Sequence, residues 1–311
     1  MWIGVPESEL EKWMILEGDL TGRFAYYRCE TNIAEEAELE INITANSRYR
    51  LWINGIPVLS GPCKGDLYRH YYETINVSEY MQMGKNVFAV QVLYNSPYTA
   101  IKQTDERAGI FGVFTPGGGH RLAIEGSIMN KKGDVIGEIT TGVAEWKVWL
   151  DGSYYLKSYE VNANLGAVCE EIDFHQIPFD WKDVRYDSQA WCTAYALETV
   201  SEEEYWKKFG ILQRFNMKKR PIPLLYEREE RFEKEMITSQ ITETKLLRNK
   251  KLVVQPGETK KILLDAGKIV NGYPRFGFHG GDNAEVRITY FERFVGETEE
   301  VHREDAENDH S

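Results

Sequence analysis

The stretch Tyr49-Arg50-Leu51-Trp52-Ile53-Asn54-Gly55 decides the fold class of this chain. Its apolar and polar positions alternate with a period of two, which is typical of a strand that has one buried face and one open face. Asn and Gly both tolerate a positive φ, so Asn54-Gly55 suits a tight turn into a return strand over 56–59. The stretch therefore predicts a β-hairpin.

The residues around this hairpin extend the same pattern. Residues 39–43 alternate in the same way, and Val87 to Tyr94 is almost continuously apolar, which predicts a central strand covered on both faces. The other predicted strands are separated by Gly- and Pro-containing breakers and cover 23–29, 121–129, 135–140, 145–149, 251–254, 260–265, 273–279 and 284–291.

Many short strands at this spacing predict an all-β chain. We expect a jelly-roll or galactose-binding-like β-sandwich, followed by a second, truncated β-sandwich. The first domain is expected over residues 1–215 and the incomplete second one over 251–311. The highly charged residues 216–250 between them are predicted to be a connector.

Composition excludes some classes of partner. The formal net charge is -12, whereas nucleic acid and anionic membrane surfaces attract a cationic protein face. We therefore expect neither nucleic acid nor a membrane as partner. The first residues lack the basic and apolar regions of a signal peptide, and the chain has no run of ~18 apolar residues. These features predict a cytoplasmic location.

Several short motifs occur in an order that resembles one known enzyme family. In the first domain they are the stretch 49–55, Gly61-Pro62, Gly84-Lys85-Asn86-Val87, Trp146-Lys147-Val148, Trp181, Tyr186-Asp187-Ser188, Trp191, Ala194 and Arg220-Pro221-Ile222-Pro223-Leu224. In the second they are Leu264-Asp265-Ala266-Gly267, Gly272-Tyr273-Pro274, Gly280-Gly281 and Ala284-Glu285-Val286. Together they resemble the N-terminal jelly roll and the following β-sandwich of bacterial α-L-rhamnosidases of glycoside hydrolase family 78.

The resemblance implies a parent enzyme that hydrolyses terminal α-L-rhamnosides with inversion, using carboxylates of a later (α/α)6 barrel. No such barrel is found in these 311 residues. We therefore expect a fragment with no catalytic residues, which acts as a scaffold beside the missing C-terminal catalytic domain and helps to guide substrate. Two alternatives stay open: a stand-alone carbohydrate-binding module, or the accessory region of another glycosidase such as a β-galactosidase, whose jelly rolls share the hairpin pattern.

Several acidic residues of the chain itself are candidates for catalysis. Inversion needs an acid and a base roughly 6.5 to 9.5 Å apart on a rigid frame. The candidates are Glu170, Glu171 and Asp173, or Asp265 with Glu285. Adjacent residues of an extended segment point to opposite sides, which separates Glu170 from Glu171. For Asp265 we expect a structural role as an acceptor of backbone N–H groups in its Asp-x-Gly turn.

Sugar binding is a further expectation that the resemblance implies. Some relatives bind rhamnose with a calcium ion at one end of the jelly roll, where a loop supplies an Asp. This chain has Asn46 there, and an amide carries no charge for a hard cation, so neither a metal site nor a cofactor is expected. Neutral L-rhamnose or rhamnosides remain possible ligands, because amides pair with hydroxyls and aromatic faces stack on pyranoses. The candidate sugar-binding residues are Asn46, Ser47, His70, Asn95, Trp52 and Tyr68.

The sequence also predicts two structural features. The aromatic candidates have an alternative role as sandwich core, which is the usual place of aromatic residues at strand spacing. A truncated second sandwich would also leave an open sheet edge, and open edges pair with other chains. We therefore expect either a homodimer that forms through that edge or poor order beyond residue ~295.

Overall fold

The structure is a computed structural model. It describes residues 1–6, 8, 23–46, 48–63, 65, 69–94, 120–158, 168–197, 217–225, 227–236, 246–248 and 251–290. The chain divides into two compact units, Met1–Leu225 and Tyr226–Ser311. Within the described ranges, no helix is long and apolar enough to span a membrane.

Strands dominate the described residues. In chain order they are β1 (Ile3–Gly4), β2 (Arg23–Ile33), β3 (Ala37–Glu38), β4 (Glu40–Ala45), β5 (Arg48–Ile53), β6 (Ile56–Gly61), β7 (His70–Asn76), β8 (Gly84–Tyr94), β9 (Arg121–Glu125), β10 (Ser127–Asn130), β11 (Val135–Glu138), β12 (Trp146–Leu150), β13 (Tyr154–Ser158), β14 (Val168–Ile172), β15 (Cys192–Thr193), β16 (Tyr195–Ala196), β17 (Met217–Lys219), β18 (Lys234–Met236) and β19 (Leu263–Asp265). Two single 3-10 turns lie at Ser78–Tyr80 and Leu246–Arg248.

Among the described residues, two six-stranded sheets form the sandwich of the first unit, beside the three-stranded sheet β11-β10-β3 and the two-stranded sheet β13-β14. Sheet A has the order β16-β1-β9-β4-β7-β17, and sheet B has the order β15-β12-β2-β8-β5-β6. Their facing sides share one core, to which sheet A contributes Ile41 and Ile43 and sheet B contributes Leu51 and Ile53, all fully buried. Burying each such side chain stabilises the fold by roughly 1.5–3 kcal/mol. The predicted all-β sandwich is confirmed.

The predicted hairpin is formed by β5 and β6. Asn54 and Gly55 have φ values of 52° and 81°, so both turn residues adopt the left-handed conformation that the sequence favours. The strands pair antiparallel from Tyr49 opposite Gly61 to Ile53 opposite Ile56. Local turn chemistry and the period-two pattern therefore agree with the tertiary structure.

Strand β8 is the central strand of sheet B, as its apolar run predicts. It pairs with β2 along its whole length and with β5 on its other side. Phe88 and Val90 face the core between the sheets, whereas Val87 and Ala89 face a second cluster on the outer side of sheet B. Both faces are covered, which explains why the run has no polar alternation.

One predicted strand, 121–129, is divided in two. β9 belongs to sheet A, whereas β10 pairs with β3 and β11 in a three-stranded sheet. Gly126 separates them, and a Cβ at this position would lie 2.9 Å from Ile41 Cγ2. The chain changes sheets where only a glycine fits against the core.

In the second unit, most predicted strands are not formed. β18 and β19 pair with each other in a two-stranded sheet, which retains only part of the predicted strand 260–265. The strand predictions for 251–254, 273–279 and 284–290 are wrong, because these residues are irregular in the structure. Alternation by itself does not form a strand, since its backbone groups also need a partner strand.

Candidate functional site

Asn46 and His70 lie on sheet A, at the ends of neighbouring strands. Asn46 directly follows β4, and its backbone N–H donates to the carbonyl of Arg121 at 2.9 Å. Thr44 Oγ1 donates to the carbonyl of Tyr71 at 2.8 Å and lies 3.0 Å from His70 Nε2. Sheet pairing thus brings the two predicted residues close together.

Both side chains are nevertheless buried. Asn46 is 0% exposed and His70 is 9% exposed. The ring of Trp2, from β1's N-terminal flank, packs edge-on against the imidazole with 5.8 Å between ring centroids. Burial lowers the pKa of His70 to about 4, so the imidazole is neutral at physiological pH. As placed, these side chains offer a sugar almost no accessible surface.

Trp52 lies on the opposite sheet and faces away from the core. It is 8% exposed and belongs to the cluster on the outer side of sheet B. Trp181 packs edge-on against it at 5.7 Å, and Lys182 Nζ lies 4.7 Å from its ring centroid. Trp52 lies apart from Asn46 and His70, because the two sheets of the sandwich separate them. Sugar binding by these residues stays a prediction. Ser47, Tyr68 and Asn95 lie outside the described residues.

Residues 181–186 form a segment that covers Trp52, and the side chain of Arg28 holds this segment against sheet B. Its guanidinium donates to the carbonyls of Trp181, Asp183 and Tyr186 at 2.8–3.0 Å and pairs with Glu30. Carbonyl recognition by a buried guanidinium uses several of its five N–H donors at once. Trp181 and Tyr186, which the motif analysis noted, are thus parts of a structural cover over sheet B.

A buried ionic cluster lies at the β7–β17 edge of sheet A, and the sequence analysis did not predict it. Glu73 is fully buried on β7 and accepts hydrogen bonds from Tyr49 Oη at 2.7 Å and from the backbone N–H of Cys63 at 2.6 Å. Arg220 Nη1 lies 3.2 Å from Glu73 Oε1. Burial and the carboxylate of Glu73 raise the pKa of Tyr49 well above its usual value. The only available signal was the Arg-Pro-x-Pro motif that begins at Arg220.

The Gly61-Pro62 motif is explained by the same cluster. A Cβ at Gly61 would lie 2.7 Å from Glu73 Oε2 and 2.8 Å from the ring of Tyr49. Only glycine leaves room for both side chains. This motif residue therefore serves the packing of the cluster.

The candidate acidic residues have structural contacts. Asp265 accepts the backbone N–H of Gly267 at 2.7 Å and pairs with Lys234, and both interactions lower its pKa, so its predicted turn role is confirmed. Glu285 is exposed and lies 3.2 Å from Arg287. Glu170 and Glu171 are adjacent on β14, and burial raises the pKa of Glu170. Among the described residues, no group of three or more His, Cys, Asp or Glu side chains is placed to hold a metal ion.

Comparisons with known proteins were made by sequence and by structure. No family model and no curated protein matches the sequence. By structure, the chain is similar to the rhamnosidase of glycoside hydrolase family 78 from Bacillus sp. GL1, with a TM-score of 0.51 and 18% identity, over 75% of this chain and 21% of that one.

Two further solved structures match less well. The α-L-rhamnosidase of Aspergillus terreus has a TM-score of 0.44 and 20% identity, over 64% of this chain and 21% of its own. That of Streptomyces avermitilis, solved with L-rhamnose, has a TM-score of 0.43 and 19% identity, over 58% of this chain and 16% of its own. This chain therefore has a β-sandwich fold of the kind found in a family 78 rhamnosidase, and it spans about a fifth of that enzyme's length.

Proposed function

We propose that this chain is the N-terminal, non-catalytic part of an α-L-rhamnosidase of the inverting type. The observation that carries the proposal is the likeness of its fold to the Bacillus sp. GL1 rhamnosidase over 75% of the chain. The ordered sequence motifs support the same family. The chain's role is then to form a scaffold beside a catalytic domain and to guide rhamnosides toward it.

The contacts of the motif residues support a scaffold role. Arg220 pairs with buried Glu73, Gly61 makes room for that pair, and Trp181 covers sheet B. Each of these residues stabilises the sandwich. Motif residues whose side chains pack the sandwich are consistent with a supporting role.

The contacts of the acidic candidates agree with a chain that does no glycoside chemistry. A general acid needs a raised pKa and a base partner across the bond to be cleaved. Asp265 has a lowered pKa because it accepts a turn N–H and pairs with Lys234. Glu170 has a raised pKa, but its neighbour Glu171 lies on the opposite face of the same strand.

We also propose that the second unit binds a second copy of the chain. Val286, Ile288 and Tyr290 alternate with polar residues and are exposed, with 40–67% of their surface accessible. Covering such a stripe with a second copy removes apolar surface from water. Light scattering at increasing protein concentration tests this: a mass that stays at one chain throughout contradicts the homodimer.

The proposed function is tested by enzyme assay of two proteins. The 311-residue chain and the product of its complete reading frame are each incubated with 4-nitrophenyl α-L-rhamnopyranoside. We expect nitrophenol release from the complete product alone, with inverted rhamnose as the first product by NMR. Release by the 311-residue chain that stops when one carboxylate is neutralised would contradict the proposal. A reading frame without a catalytic domain would favour the carbohydrate-binding module, and one with a β/α barrel would favour another glycosidase.

A further inference from the structure

The sequence contains two Asn-Gly dipeptides, and the structure places them in opposite environments. They are Asn54-Gly55 and Asn271-Gly272. Each follows a β-branched residue, Ile53 or Val270, so their local sequences are closely matched. An asparagine before glycine is prone to lose its side-chain amide by intramolecular attack, because glycine has no side chain that shields its nitrogen or restricts its backbone. The conformation of each site therefore decides which one reacts.

The side-chain amide of Asn54 is held at both of its polar atoms. Its Nδ2 donates to the carbonyl of Tyr80 and to Asn86 Oδ1, and its Oδ1 accepts the N–H of Val87, all at 2.9 Å. These partners lie on another segment of the chain and not on the adjacent Gly55. Rotation of the amide toward the Gly55 nitrogen would break all of these bonds, which slows the reaction roughly a hundredfold at ordinary hydrogen-bond strengths.

Asn271 and Gly272 are both exposed and lie in irregular backbone of the second unit. The side chain of Asn271 has no hydrogen-bond partner among the residues that the structure describes. A Cβ built on Gly272 would meet no atom within 4 Å, so no other segment packs against this residue. The next residue, Tyr273, is 68% exposed. The amide of Asn271 can therefore turn toward the Gly272 nitrogen without breaking a hydrogen bond.

We infer that Asn271 is a site of spontaneous deamidation in the folded chain, whereas Asn54 is protected. The Gly272 nitrogen gives up its proton and forms a bond to Asn271 Cγ. The bond from Cγ to Nδ2 breaks, and Nδ2 leaves as ammonia with that proton, which produces a five-membered succinimide. Water then adds to either carbonyl of the ring and opens it to aspartate or to iso-aspartate.

The modification changes both charge and backbone at this position. Either product replaces a neutral amide with a carboxylate, which adds one negative charge to the second unit. The iso-aspartate product also routes the main chain through the side-chain carbon, so the backbone before Gly272 becomes one carbon longer. Water is the only other reactant, and the inference is therefore independent of the proposed function.

The test follows both dipeptides in one sample of the whole 311-residue chain. The chain is incubated in slightly alkaline buffer, and peptide mapping by mass spectrometry measures the conversion at Asn54 and at Asn271 with time. We expect Asn271 to convert roughly a hundredfold faster than Asn54 in the folded chain. In denaturing urea the two sites should convert at similar rates, because the hydrogen bonds that hold Asn54 are then absent.

Two variants test the chemical route. Gly272→Ala fits the structure, because the added Cβ has open space and the φ of this residue lies outside the left-handed region, and it should slow the conversion severalfold. Asn271→Gln would need a larger ring and should show almost no conversion at this position. Native rates at Asn271 and Asn54 that differ by less than about tenfold would overturn the inference. Conversion of Asn271 in urea alone, or an unchanged rate in Gly272→Ala, would overturn it as well.

Discussion

The side chain of Asn54 donates a hydrogen bond to Asn86 Oδ1 at 2.9 Å and so joins the β5–β6 turn to the beginning of β8. Asn54 also donates to the carbonyl of Tyr80 and accepts the N–H of Val87, both at 2.9 Å. Asn86 is fully buried and donates to the carbonyls of Gln82 and Gly84. Two motifs that lie far apart in sequence therefore form a single hydrogen-bonded unit.

This hydrogen-bonded unit predicts that replacing Asn54 lowers the stability of the fold. Asn54→Gly keeps the positive φ but removes the side chain, which leaves Asn86 and Val87 without these partners, and should lower the free energy of unfolding by about 1–3 kcal/mol. Asn54→Ala adds the cost of a left-handed alanine, roughly 1 kcal/mol more. Urea denaturation followed by tryptophan fluorescence measures both. A glycine variant as stable as the parent would show that the network contributes nothing.

The buried ion pair of Glu73 and Arg220 predicts that replacing Glu73 alone costs more stability than replacing both residues. Glu73→Gln leaves a buried guanidinium without its counter-charge and should cost about 3–5 kcal/mol. The double variant Glu73→Gln/Arg220→Met removes that uncompensated charge and should recover part of the loss. Glu36→Gln, which removes the exposed partner of Lys131, is the matched control and should leave the denaturation midpoint unchanged. Equal midpoints for Glu73→Gln and Glu36→Gln would contradict the buried cluster.

His70 predicts a dependence of stability on pH. Its folded-state pKa of about 4 is below the unfolded value of 6.5, so below pH 6.5 the unfolded chain binds a proton that the folded chain does not. Stability is therefore complete above pH 6.5, falls as the pH drops toward 4, and loses up to ~3 kcal/mol in this window. The variant His70→Gln does not titrate and should show a shallower fall over the same range. Parallel curves for the two proteins would refute a buried neutral imidazole.

Arg28 predicts a local loss of order over sheet B. Arg28→Met keeps an unbranched apolar stem but removes the guanidinium, and with it three hydrogen bonds to carbonyls. We expect faster hydrogen exchange in residues 181–186 and a changed near-ultraviolet dichroism signal, because Trp181 stacks on Tyr26 with 4.5 Å between centroids. Arg185→Gln changes an exposed arginine of the same segment and should leave both signals as they are. If Arg28→Met behaved like Arg185→Gln, the buried arginine would not be what holds the segment.

The exposure of the candidate site residues could not be predicted from the sequence. Trp52 and His70 were sensible candidates by residue type, since both types bind sugars when exposed. Alternation with Tyr49, Leu51 and Ile53 puts Trp52 on the other face of its strand, but such a face is open only if no other segment covers it. Trp181 and Lys182 cover it, and they lie far along the chain.

The sequence by itself determined the all-β class, the β5–β6 hairpin and the central position of β8, because period-two patterning, apolar runs and the Asn-Gly turn act between near neighbours. Only the tertiary structure decided which faces are covered and which charges meet. Glu73 and Arg220 are 147 residues apart, and their pairing arises because β17 lies beside β7. Burial and ion pairing depend on which distant segments come together, and a local pattern carries no information about that choice.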